Sequence, residues 1–122
     1  MEVIYFFWFL SLSFTSTGDY EVNHGTETWI EGWLGFAGGG EGCGAPVAPH
    51  VSADHTYSFN ASAMELTVNG DGAYVVLAKA HNSGEDGNSG GSIMYHVTSV
   101  TETEMILDLN YGNWWRLYLK KN

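Results

Sequence analysis

Basic residues are scarce: four stand against fourteen acidic ones, giving a net charge of -10. Such a surface repels phosphate backbones and anionic head groups, so nucleic acid is not expected as a partner. Cys43 is the single cysteine, which excludes an internal disulfide and a thiolate metal cage. No apolar run is long enough to span a bilayer as a helix, and membrane insertion is not expected. The run at the start, Met1 to Leu10, has the apolar character of a signal peptide. It lacks the positive flank and the small-residue cleavage site, and the competing reading is a first strand rich in aromatics. A sustained helical period is also missing, and only two prolines, Pro46 and Pro49, punctuate the chain.

Sixteen glycines and abundant Ser, Thr and Asn separate short runs rich in aromatic and β-branched residues. Those residue types suit a pleated, half-buried surface, so the composition describes strands joined by turns. The length fits one domain, 1–122, with the possibility left open that its N-terminus is incomplete. Thr17 to Tyr20 reads as a turn into the strand Tyr20–Val22. Thr28–Leu34 reads as a strand with Trp29, Glu31 and Trp33 on one face. Gly35 to Pro49 reads as a long loop. Tyr57–Phe59 and Met64–Val68 form a hairpin about Asn60–Ala63, and Asn69-Gly70-Asp71-Gly72 has the composition of a tight hairpin turn. Ala73–Ala80 is almost continuously apolar and reads as a central strand. A polar segment, His81–Ser92, follows.

In the last third, Ile93, Tyr95 and Val97 share a face, as do Met105, Leu107 and Leu109, with Thr101–Glu104 joining the two strands. The closing strand places Trp115, Leu117 and Leu119 inward and Trp114, Arg116 and Tyr118 outward. The expected fold is all-β, either an antiparallel, jelly-roll-like β-sandwich or a meander barrel of about eight strands.

The Trp29/Glu31/Trp33 face and the Trp114/Arg116/Tyr118 face each set aromatic planes beside a charge. Aromatic rings stack on the C–H faces of sugars while carboxylate and guanidinium groups bond hydroxyls. Packing of the same tryptophans into the core is the competing reading. His24, His50, His55, His81 and His96 show no metal-ligand spacing, and the acidic stretch Glu85–Asn88 departs from the calcium-loop pattern, so no metal and no cofactor is expected. No nucleophile elbow, phosphate-cradling loop or paired catalytic carboxylates can be recognised, and the chain is expected not to be an enzyme. Asn60-Ala61-Ser62 fits a glycosylation sequon, relevant only in a eukaryotic secretory host.

Glu41-Gly42-Cys43-Gly44-Ala45-Pro46-Val47-Ala48-Pro49-His50, then Tyr57-Ser58-Phe59, Leu66 to Tyr74 and Trp114-Trp115-Arg116-Leu117 resemble an accessory β domain of secreted proteins in marine Bacteroidetes. Those proteins are polysaccharide-utilisation lipoproteins and multidomain glycoside hydrolases that contain PKD modules. The similarity spans approximately Phe14 to Lys120. It implies a β-sandwich or β-barrel beside carbohydrate-active modules, an extracellular or cell-surface location, and no catalytic residues. It also implies a further N-terminal section, with a second cysteine, in place of the apolar Tyr5–Leu10.

Taken together, these features make a non-catalytic carbohydrate-binding or scaffolding domain the leading expectation. Its partners would be a polysaccharide such as a β-glucan and the other modules of a parent protein. The alternative is a calycin-like barrel holding a small apolar ligand, with Tyr95, Leu107, Trp115 and Leu117 lining a cavity.

Overall fold

The computed structural model describes residues 3–7, 10–35, 39–78, 91–110 and 114–121, with the backbone alone for 3–7 and 10. The acidic stretch Glu85–Asn88, His81, Lys79–Ala80 at the end of the apolar run, and Tyr111–Asn113 lie outside the described residues.

Ten strands are described: β1 Val3–Phe7, β2 Leu10–Phe14, β3 Asp19–Asn23, β4 Thr28–Ile30, β5 Gly42–Gly44, β6 Ala53–Asn60, β7 Glu65–Asn69, β8 Ser92–Val100, β9 Glu104–Asn110 and β10 Trp114–Lys121. Eight of them close into an antiparallel barrel in the order β1-β10-β9-β8-β7-β6-β3-β2, and β4 and β5 form a separate two-stranded sheet. The fold is all-β, and the meander barrel is the arrangement found. Ring closure rests on β1, which pairs with β2 from Val3↔Phe14 to Phe7↔Leu10 and with β10 at Tyr5↔Lys121 and Phe6↔Lys120. Val3–Phe7 of the apolar start is therefore a barrel strand.

Alternation decides which residues fill the interior, because successive strand side chains point to opposite faces. Leu12, Tyr20, Val22, Leu66, Val68, Ile93, Tyr95, Val97, Met105, Leu107, Leu109, Leu117 and Leu119 are all buried, and Trp115 packs against them half-buried. Each fully buried aliphatic side chain contributes roughly 1.5–3 kcal/mol relative to exposure. Phe59 of β6 is exposed.

Four readings of the sequence are corrected. The described part of the run, Ala73–Ala78, is not a central strand: it is irregular and bends at Val75–Val76, yet Ala73, Tyr74, Val75 and Ala78 are buried in the barrel core. An apolar run of this length fits any buried segment, and here the backbone finds side-chain partners instead of a strand ladder. Tyr20 donates its hydroxyl to the Tyr74 carbonyl at 2.6 Å, and the Val75 N–H donates to the Tyr95 hydroxyl at 2.9 Å. Such pairing is what a buried peptide group requires. The turn at Asn69–Gly72 accordingly opens this inserted strap and does not close a two-residue hairpin. Thr28–Leu34 is not one strand either, since β4 ends at Ile30 and Gly32–Leu34 is a 3-10 helix. Part of the expected Gly35–Pro49 loop is β5, which pairs with β4 at Thr28↔Gly44, Trp29↔Cys43 and Ile30↔Gly42.

Candidate functional site

The outer face of β10 is the first candidate. Alternation sends Trp114, Arg116, Tyr118 and Lys120 outward together, and Trp114 and Tyr118 are 74% and 66% exposed. Four residues of extended chain separate the two rings by about 13 Å along the strand. Between them, Arg116 lies directly opposite Asp108 of β9. Its Nε donates to Asp108 Oδ1 at 2.7 Å and its second guanidinium nitrogen to Oδ2 at 2.9 Å, a two-pronged pair that fixes the guanidinium plane. The Arg116 side chain is 51% exposed while that of Asp108 is 11% exposed.

Asp108 is held from the other side as well. A bulge between Val97 and Ser99 makes Thr98 the extra residue of β8, and its hydroxyl donates to Asp108 Oδ2. His96 sits opposite Asp108 and Glu65 opposite His96, so a polar row crosses β10, β9, β8 and β7. The hydrogen bond from Arg116, then that from Thr98, brings the Asp108 carboxyl down from 3.8 to about 2. All three residues expected on this face are brought together on one surface.

The second expected face is split. Trp29 and Trp33 are exposed, but Glu31 is buried at 2%. The 3-10 helix after Ile30 breaks the period of two, so Glu31 turns inward while Trp33 stays at the surface. The ring of Trp33 meets that of His50 edge-on, with centroids 5.3 Å apart.

Beneath this cover lies a polar cluster for which the sequence held no signal beyond unassigned histidines. His24 and His50 are buried, and their rings flank that of Tyr74 at 5.7 and 4.5 Å. Burial raises the Tyr74 hydroxyl, the nearby Glu31 charge raises it further, and a hydrogen bond with Thr28 opposes both. His24 is lowered by burial and then by His55, and His55 is lowered by burial against the opposing pull of Asp54 and Asp71. The cluster ties the β4–β5 cover to the strap. Among the described residues no group of three or more His, Cys, Asp or Glu side chains is placed to hold a metal ion.

A shallow cleft of about 510 Å³ also opens on the wall of β2, β3 and β6, lined by Ser11, Ser13, Glu21, Asn23, Ser52 and Asp54 among others. Glu21 and Asp54 are direct cross-strand partners, so both carboxylates project from one wall.

Among the described residues no helix is long and apolar enough to cross a membrane. Comparison with known proteins found no matching family model, no matching curated protein and no matching solved structure.

Proposed function

We propose that the chain is a non-catalytic carbohydrate-binding domain that receives an extended polysaccharide along the outer face of β10. The observation that carries the reading is the exposed Trp114–Arg116–Tyr118 strip on the outside of a barrel whose interior is filled with side chains. Exposed rings at both ends of the strip stack on sugar faces, and the fixed guanidinium offers donors to hydroxyls between them. The strand is paired with β9 along its length, so the platform is set before ligand arrives. The resemblance of the chain to accessory modules supports the further proposal that it works beside other modules of an exported, cell-surface protein.

Affinity electrophoresis and calorimetry against β-glucans and other polysaccharides test the reading. Trp114→Ala and Tyr118→Ala are expected each to weaken binding at least tenfold, about 1.4 kcal/mol. Trp29→Ala and Trp33→Ala, on the β4–β5 side of the barrel, are expected to leave it within about twofold, an energetically near-neutral change. Retardation by no glycan removes the binding claim and leaves a scaffolding role.

The second reading is a small apolar ligand inside the barrel, and the closed eight-stranded ring favours it. It requires Tyr74 and Val75 to withdraw, since both occupy the interior. Failure of an apolar fluorescent probe to bind the folded protein would sink it.

A further inference from the structure

Three of the four basic residues of this acidic chain, Arg116, Lys120 and Lys121, lie on β10, and two of them share the outward face with Trp114 and Tyr118. Cations interleaved with aromatic rings would by themselves suit a carboxylated or sulfated glycan. The neighbouring strand cancels them. Asp108 takes both prongs of Arg116 at 2.7 and 2.9 Å, and Glu104 Oε1 lies 4.0 Å from Lys120 Nζ. Each outward cation of β10 thus faces a carboxylate of β9 in register, Arg116↔Asp108 and Lys120↔Glu104. The next groups across the row are His96 and then Glu65, which adds a further negative charge. Beyond the strip, the net charge of -10 sets a field that repels polyanions.

Resting on the glycan-binding reading above, we infer that the β10 strip takes a neutral polysaccharide and rejects uronate and sulfated ones, with Asp108 as the positioning residue that fixes Arg116 and cancels its charge. A guanidinium carries five N–H donors. Two are engaged by Asp108, and the Tyr118 hydroxyl lies within reach of the same guanidinium, so the donors left over are held at fixed angles between the two rings. Hydroxyls meet oriented donors there, whereas an anionic group meets Asp108 directly behind the guanidinium and no net positive charge to bind.

The test is affinity electrophoresis of the whole chain in gels containing a neutral β-glucan, a polyuronate or a sulfated galactan, at low and high salt. The wild-type chain is expected to be retarded by the neutral polymer alone. Asp108→Asn, which keeps the shape and removes the charge, is expected to lose three- to tenfold in neutral affinity. It should also gain retardation by both polyanions that fades at high salt, because exposed charge interactions are screened. Arg116→Gln removes the cation instead and should lose neutral binding with no anionic gain, and thermal melting confirms that both variants are folded.

Wild-type binding to a polyanion as strong as to the neutral polymer overturns the inference and leaves glycan binding standing. Retardation by none of the three overturns both. Asp108→Asn binding that matches wild type in every gel removes Asp108 as the determinant, and an anionic gain in Arg116→Gln does the same.

Discussion

The two ends of the barrel are built in different ways. At one end the turns 15–18, 61–64 and 101–103 join neighbouring strands directly. Backbone bonds hold them: the Tyr57 N–H donates to Gly18 O at 2.9 Å, Val97 to Met64 O at 2.8 Å, and Thr101 to Glu104 O at 2.8 Å. At the other end the chain makes two long excursions, 24–52 and 70–91, and side chains do the holding. Tyr20, Tyr95, His24 and His50 surround a strap that belongs to no sheet. Backbone hydrogen bonds brace the turns of the first end, and side-chain contacts brace the strap of the second. A change that acts through distant packing should therefore injure the second end far more.

The sharpest test uses one glycine from each end. Gly72, at φ +82, packs so closely under Pro49 that an added Cβ would overlap the Pro49 carbonyl, whereas a Cβ on Gly18, at φ +93, meets only the Tyr57 carbonyl at 3.5 Å. Gly72→Ala is expected to cost more than about 3 kcal/mol, from strain plus overlap. Gly18→Ala should cost about 1–2 kcal/mol, from the left-handed backbone alone. Urea unfolding measures both, and a reversed order would end the contrast.

Next in size are Tyr20→Phe and Tyr95→Phe. Each leaves one strap peptide group buried without its partner, at a cost of about 1–3 kcal/mol. Hydrogen exchange should locate the loosening at 73–78 and leave the turns at 15–18 and 101–103 protected. Uniform loss of protection would mean that the strap and the barrel open as one unit.

Acid separates the ends more gently. Burial holds folded His24 and His55 below their ordinary value of 6.5, so the unfolded chain takes up these protons first. Their contribution to stability is complete above about pH 6.5 and is lost as pH falls toward the folded values. Asp108, brought down from 3.8 to about 2, loses its contribution only below 3.8. At pH 5 the strap should therefore exchange faster than at pH 7, relative to its intrinsic rate, while the β9–β10 ladder keeps its protection. Equal loosening of both would break the comparison.

Trp114→Ala is expected to have the smallest effect on folding. The ring is 74% exposed, and unfolding free energy should change by no more than about 0.5 kcal/mol even though glycan retardation is lost. A large destabilisation would move this ring from ligand contact to structure.

The same division explains what the amino-acid order reveals. Ile93/Tyr95/Val97, Met105/Leu107/Leu109 and Leu117/Leu119 show their inward face directly, because a period of two survives wherever a strand is paired on both sides. The Trp114/Arg116/Tyr118 strip is legible for the same reason. Glu31 is not, because one 3-10 turn after Ile30 resets the phase. β5 escapes because Gly42-Cys43-Gly44 has no strand-forming side chains and is extended only through pairing with β4. The strap looks like a strand because hydrophobicity reports burial, not hydrogen-bond partners. Its partners are Tyr20 and Tyr95, tens of residues away, and Asp108's grip on Arg116 depends in part on a bulge at Thr98 that no local signal marks.

The seam between β1 and β10 has a mechanical consequence. Among the described residues two register pairs, Tyr5↔Lys121 and Phe6↔Lys120, join these strands, against an unbroken register from Trp114↔Asn110 to Lys120↔Glu104 on the other side of β10. The strands are antiparallel, so chain leaving β1 before Val3 and chain leaving β10 after Lys121 depart from the same end of the barrel. Tension applied through both would load the seam one bond at a time, as in unzipping, and the ring would part there first. The barrel would then relax into a curled sheet with β10 still anchored to β9, so the outward rings of Trp114 and Tyr118 would stay in place under a pull that had already opened the cylinder.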